Sequence, residues 1–157
     1  ARGTASAMDG IVWAVNPRND SLDHFANYVG QFAKEFFEPT LIRVRLDFPA
    51  MPPPQAMSAS ARHNLLLAVK EALNNVVRHA EAKEVRLGLH TAEGTLLLTV
   101  EDDGKGIGET RRDPSQNGLA NMRARVEKVG GSVLIGAANG RGTRIAFAVP
   151  LAKLNPE

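Results

Sequence analysis

The chain has 157 residues, 43% of them hydrophobic and 23% charged, which suits one globular domain with a core of its own. Nineteen basic against seventeen acidic side chains leave a net charge of +2, too little for the basic stripe of a dedicated nucleic-acid binder. The absence of cysteine removes disulfides, thiolate catalysis and cysteine-rich zinc sites in one step, and no apolar run approaches the ~18 residues that span a bilayer. The sequence starts at Ala1 with neither an initiator Met nor a signal-peptide pattern, and reads as a piece of a larger polypeptide.

In chain order, Ser21 to Pro39 predicts a helix, with Ser21 as N-cap, apolar residues at Leu22, Phe25, Tyr28, Val29, Phe32 and Phe36, and a proline stop. The stretch TLIRVRLDFP alternates Leu41 or Ile42, Val44, Leu46 and Phe48 with Arg43, Arg45 and Asp47, the pattern of a half-buried strand. PAMPPPQAM breaks the chain; its prolines fit a polyproline connector better than a ligand for a proline-binding module. From Ser58 to His79 a long helix follows, with Leu66, Val69, Leu73, Val77 and Ala80 expected toward the core. Its second stripe is polar: Glu71, Asn75 and His79 recur every four residues beside Arg78. Asparagine is a poor helix former, so Asn74 and Asn75 in mid-helix raise the question of what their amides bond to.

EVRLGLHT and TLLLTVED follow as strands joined across Ala92-Glu93-Gly94 in a hairpin. EDDGKGIG then sets Asp102 and Asp103 at a strand end before Gly104, Gly106 and Gly108, where the backbone can bend and approach a ligand. This is neither a phosphate loop, because no Gly-Lys-Ser/Thr follows, nor a dinucleotide fingerprint, because a polar loop rather than a helix comes next. The last helix, GLANMRARVEKVGG, is expected to end on Gly130 and Gly131. Two strands, SVLIGA and TRIAFAVP, flank the turn ANGRG. Hairpin-linked strands with helices between them point to an α+β sandwich, a mixed and mostly antiparallel sheet covered on one face by about three helices.

Three features in this order are more specific together than apart: Glu71-x3-Asn75-x2-Arg78-His79, Asp102-x-Gly104-x-Gly106, and Gly118-Leu119 followed by Gly140-x-Gly142-Thr143. They resemble the ATP-binding (Bergerat-type) fold shared by gyrase, the Hsp90 chaperone, sensor histidine kinases and MutL, over roughly Arg62 to Leu151. Within that group EALNNVVRHA, DDGKGIG, NGLANMRARVEKVGG and GRGTRIAFAVPL look like the catalytic domain of the two-component histidine kinase branch whose regulators usually carry helix-turn-helix DNA-binding domains.

The resemblance implies ATP and Mg²⁺ as cofactors and a set of site residues. Asn75 is the implied Mg²⁺ ligand, which suits a hard cation that keeps several waters and takes a side-chain oxygen beside the ATP phosphates. Arg78 would face those phosphates, and Glu71 would orient water or the attacking group. Asp102, an acceptor, would take the adenine amino group, with Thr143 completing that side. Gly104, Gly106, Ile107 and Gly142 would let the chain pass the nucleotide, and Gly118, with Leu119, would offer backbone N–H groups at a helix start.

Other residues carry plainer readings. His79 fits a cap or packing role better than contact with nucleotide, Asn74 reads as structural, and Asp103 as a loop hydrogen-bond acceptor. Arg111 and Arg112 read as solvated charge, Lys105 as exposed, and His24, His63 and His90 show no metal spacing. Gln116 stands where the family usually offers a glycine, which puts the shape of the end of the lid, Glu109 to Asn117, in doubt; its composition is that of a mobile segment.

No histidine here is followed by an acidic residue, as the phosphoacceptor of this branch is. Residues 1–19 look instead like the end of a dimerisation helix and its linker, with Val12 and Trp13 packing it, and 20–157 like the catalytic domain. The implied partners are the chain's own dimerisation and phosphoacceptor domain and a cognate response regulator. The fragment is expected to be monomeric and cytoplasmic within a homodimeric parent, whose membrane anchoring the sequence leaves open. A weakly hydrolysing ATP-binding switch and an anti-sigma-type serine kinase are alternatives on the same fold.

Overall fold

The computed structural model describes residues 13, 14, 16, 18, 20–79, 81–105, 115–138 and 141–156. Helix α1, Leu22–Phe37, begins where the sequence says it should: the Ser21 hydroxyl oxygen accepts from the His24 N–H, and Leu22, Phe25, Val29, Ala33 and Phe37 turn inward. Strand β1, Arg43–Asp47, follows. Ile42, not Leu41, takes the inward place ahead of it; Leu41 is fully exposed and Ile42 packs against the core.

Helix α2, Ala59–His79, carries the long amphipathic pattern. Ser58 caps it, its Oγ accepting from the Ala61 N–H at 3.1 Å. The buried set is Ala61, Leu65, Leu66, Ala68, Val69, Ala72, Leu73 and Val76. This corrects one expectation, since Val77 is 45% exposed while Val76 is buried. Adjacent positions on a helix differ by about 100°, so where the inward spacing runs through Leu65, Val69, Ala72 and Val76, the next valine is carried out of the core. Ala80 lies outside the described residues.

Strands β2, Glu84–Ala92, and β3, Thr95–Asp102, form the expected hairpin. Ala92 pairs with Thr95, leaving Glu93 and Gly94 as a turn with φ of 51° and 76°, the double positive φ that matches strand twist. Helix α3 spans Ser115–Lys128 and ends in a Schellman arrangement, with Gly131 N–H donating to Val126 O and Gly130 N–H to Glu127 O. Strands β4, Ser132–Ala137, and β5, Thr143–Pro150, lead into a short helix α4, Leu151–Leu154.

The sheet runs β1-β2-β3-β5-β4, with β1 parallel to β2 and every other pair antiparallel. This is the mixed, mostly antiparallel α+β sheet with three main helices that the sequence predicts. Alternate residues of each strand, such as Val85, Leu87 and Leu89 or Leu96, Leu98 and Val100, bury themselves with the helices' apolar faces in one cluster. Each large side chain so removed from water contributes about 1.5–3 kcal/mol before entropy is counted.

One buried cation was not legible in the sequence. Arg62, 2% exposed, donates to the backbone carbonyls of Ala14, Met57 and Asn16, and burial lowers its pKa while Asp20 raises it. Neutral carbonyls thus satisfy the guanidinium where water cannot. They tie the segment before α1 to the first turns of α2. Trp13 packs on α1, its ring stacked on Tyr28 at 4.4 Å; Val12 lies outside the described residues.

Candidate ATP site

Two clusters collect the described candidate residues. The first is at the ends of β3 and β5, where Asp102 and Thr143 are opposite each other in the ladder and both are buried, at 7% and 6% exposure. One Asp102 oxygen accepts from the Gly104 N–H at 2.9 Å. Burial pushes the Asp102 pKa up, with the Gly104 and Thr143 N–H groups opposing that rise and Asp103 adding to it. A desolvated acceptor at a strand end can take a hydrogen bond from a donor of matching shape.

Gly142 makes this approach possible. Its φ is +89°, and a Cβ there would lie 1.9 Å from the Asp102 carbonyl oxygen, which no side chain tolerates. From the next turn, Arg141 donates through Nε to the Gly104 carbonyl oxygen at 3.2 Å. Arg141 is not legible in the sequence, because a lone arginine in a Gly-rich turn carries no signal of what it holds.

The second cluster joins α2 to α3. A Cβ at Gly118 would lie 2.6 Å from Glu71 Oε2, so the glycine lets the start of α3 close on the Glu71 carboxylate. Gly118 is the fourth described residue of helix α3. Ser115, Gln116 and Asn117, assigned to the lid, are the first turn of the helix. A sequence signal for that helix was present in Asp113-Pro114-Ser115-Gln116, because an acidic residue, a proline and a glutamine in that spacing favour a helix start. The polar composition concealed it. Leu119 packs against the core from the same turn.

Asn75 lies one helical turn beyond Glu71 on α2, which packs on β3. Its Oδ1 is buried and without a hydrogen-bond partner among the described residues. Such an acceptor costs roughly 1–3 kcal/mol if left unmade. A hard-oxygen donor held in that state fits a divalent cation or a ligand donor group. Arg78 is exposed on the last turn of α2, and Asn74 is half-buried. Gly106, Ile107, Gly108, Arg111, Arg112 and Gly140 lie outside the described residues, so most of the lid does too. Asp103 behaves as expected, its Oδ1 accepting from the Lys83 and Glu84 N–H groups at 2.8 and 3.0 Å.

Residues 61–153 match the family of histidine kinase-, DNA gyrase B-, and HSP90-like ATPases. The chain belongs to this family. Similar curated proteins are the sensor histidine kinases LiaS and DesK of Bacillus subtilis, each 35% identical over 61% and 62% of this chain and 27% and 26% of their own lengths. The nitrate/nitrite sensor protein NarQ of Escherichia coli is 33% identical over 61% of the chain and 17% of its own length. The chain therefore spans about a quarter of the first two of these relatives. In fold, the ATPase domain resembles the histidine kinase domain of an Erythrobacter litoralis blue-light activated histidine kinase, with a TM-score of 0.69, 24% identity, and coverage of 83% of this chain and 62% of the other. An Acinetobacter baumannii histidine kinase, AdeS, matches with a TM-score of 0.66 at 16% identity over 84% and 66%. No helix among the described residues of the ATPase domain is long and apolar enough to cross a membrane.

Proposed function

We propose that this chain is the catalytic domain of a two-component sensor histidine kinase, which binds Mg-ATP and donates the γ-phosphoryl group to a histidine of a separate dimerisation domain. The observation that carries the reading is the buried, unpartnered Oδ1 of Asn75 in a chain of this ATPase family. An amide oxygen held without a partner suits a cation that arrives with the nucleotide and keeps part of its water shell. The chemistry Mg²⁺ supplies when bound is neutralisation of charge on the phosphate oxygens.

The chain's own residues then divide the remaining work. Asp102 accepts from the adenine amino group, with Thr143 beside it and Gly104, Gly106, Ile107 and Gly142 giving the backbone room. Arg78 faces the phosphates, and Glu71, closed upon by Gly118, orients the attacking group, with Leu119 in the same turn. Positioning of this kind supplies most of the catalysis in phosphoryl transfer. Residues 20–157 form the catalytic domain on this reading and 1–19 the end of a dimerisation helix with its linker. The branch is that whose response regulators carry helix-turn-helix output domains, and the motif strings named above support it.

None of the four histidines is followed by an acidic residue as an acceptor of this branch would be. Incubated with γ-labelled ATP, the 157-residue chain should bind nucleotide yet take no acid-labile label. Supplying a dimerisation hairpin in the same chain or in trans should place label on a hairpin histidine. Stoichiometric acid-labile label on the chain alone would overturn the proposal.

A further inference from the structure

We propose that Asp103 is a positioning residue for nucleotide selection, whose carboxylate pins the loop after β3 to the start of β2 and thereby aims the neighbouring Asp102 carboxylate at the base. Asp103 sits one residue past the end of β3, just beyond the last ladder pair with β2, Asp102 with Val85. Its side chain extends the pairing where the backbone ladder stops. Oδ1 accepts from two consecutive peptide groups, Lys83 N–H at 2.8 Å and Glu84 N–H at 3.0 Å, while the Asp103 N–H donates to Glu84 O at 3.3 Å. A residue fixed at its backbone and at its side chain to one short segment leaves the loop little freedom to swing.

The consequence falls on the peptide that follows. Gly104 N–H is the donor that holds Asp102 Oδ1 at 2.9 Å, and Gly104 O is the acceptor for Arg141 Nε. The orientation of the buried Asp102 carboxylate therefore depends on where the chain places Gly104. That place is set from two sides: from β2 through Asp103, and from the turn before β5 through Arg141. The Asp103 carboxyl is exposed; desolvation alone would raise its pKa, but the Glu84, Lys83 and Asp103 N–H groups and the Lys83 ammonium together bring it below its usual value. The charged acceptor is thus used by the backbone and turned toward β2.

This inference rests on Asp102 as the adenine acceptor, and the test separates the two. ATP and ITP differ at the position where adenine offers an amino donor and hypoxanthine a carbonyl acceptor. Their affinities are measured by calorimetry for the wild-type chain and for Asp103→Ala, Asp103→Asn and Asp103→Gln, with thermal melts alongside. An asparagine amide oxygen can accept from the same two N–H groups; a glutamine carries the same amide on a longer stem.

Asp103→Asn should keep the wild-type preference for ATP over ITP. Asp103→Ala and Asp103→Gln should lower that preference about tenfold, the equivalent of one hydrogen bond's directionality. Should the alanine variant not fold, the asparagine and glutamine pair gives the same reading, since they differ only in reach. A purely structural role would lower the melting temperature and leave the ATP-to-ITP ratio unchanged, which would overturn the proposal, as would a glutamine variant with wild-type selectivity. A wild-type chain without preference for ATP over ITP would instead remove Asp102 as the adenine acceptor.

Discussion

Replacing Asp102 with asparagine isolates one property of the site, because shape is kept and an acceptor becomes a donor. The amide oxygen can still take the Gly104 N–H now held at 2.9 Å, so the loop keeps its anchor. The other position becomes an NH2 that faces the base. If an adenine amino group meets it, two donors oppose each other in a place where the side chain is 7% exposed and water cannot relieve the mismatch. A buried unmade hydrogen bond costs about 1–3 kcal/mol, or roughly 5- to 150-fold in affinity.

Stability should move the other way. Burial raises the folded-state pKa of Asp102 above its ordinary 3.8, so the fold disfavours the charged form. The stability linked to this group is fully present below 3.8 and is lost as pH rises through the raised folded value. At neutral pH the wild type therefore carries a desolvated charge that Asp102→Asn lacks. The variant should melt at the same or a higher temperature at neutral pH, with the difference shrinking on acidification. Calorimetry with ATP and with ITP, paired with melts across pH, reads both effects. Equal ATP affinity in wild type and variant, or equal losses for ATP and ITP, would refute the reasoning.

Asn75→Ala removes an orphaned buried acceptor and adds a better helix former, so the nucleotide-free chain should be unchanged or more stable by up to about 1–3 kcal/mol. The magnesium dependence of nucleotide binding should disappear with it; binding that still responds to Mg²⁺ as in wild type would take Asn75 out of the metal site. Gly142→Ala puts a Cβ 1.9 Å from the Asp102 carbonyl oxygen at a φ of +89°. A loss of about 3 kcal/mol or more, a fall of roughly 6–12 °C in melting temperature, is expected, together with lost nucleotide affinity; a wild-type melt would show that β5 can shift freely at its start.

Much of the fold could be read because its signals are local. Ser21 caps α1, Glu93-Gly94 turns the hairpin, and Gly130-Gly131 closes α3, each within a few residues of the structure it sets. That Asp102 and Thr143 belong together was implied by the resemblance to the ATP-binding fold, and the ladder sets them opposite each other. What escaped reading depends on distance or on a choice of phase. Val76 and Val77 look alike in sequence, and one 100° step on the helix decides between core and solvent. Arg62 is satisfied by carbonyls, two of them 46 and 48 residues away, and nothing near it announces burial. The bond from Arg141 to Gly104 spans 37 residues and depends on how β5 returns beside β3.

Helix α2 shows how stability and function are divided within one element. Its inward stripe from Ala61 to Val76 is buried in the core, so its outward stripe is free to carry residues that a stable helix would not choose. Asn75 is the clearest of these, with an oxygen that the described residues leave without a partner. Asp102 and Gly142 stand at a similar disadvantage, one a desolvated carboxyl and the other at a backbone angle that other residues rarely adopt. Local consistency is the ordinary condition of a folded chain, and departures from it cluster where a ligand is to be held. A ligand that satisfied Asn75 and Asp102 together would be bound by the folded state and not by the unfolded chain. At a concentration 100 times its dissociation constant it would add about 2.7 kcal/mol to stability. For such a ligand the cost carried by the free domain would be preorganisation: the Asn75 oxygen and the Asp102 carboxylate are desolvated before it binds.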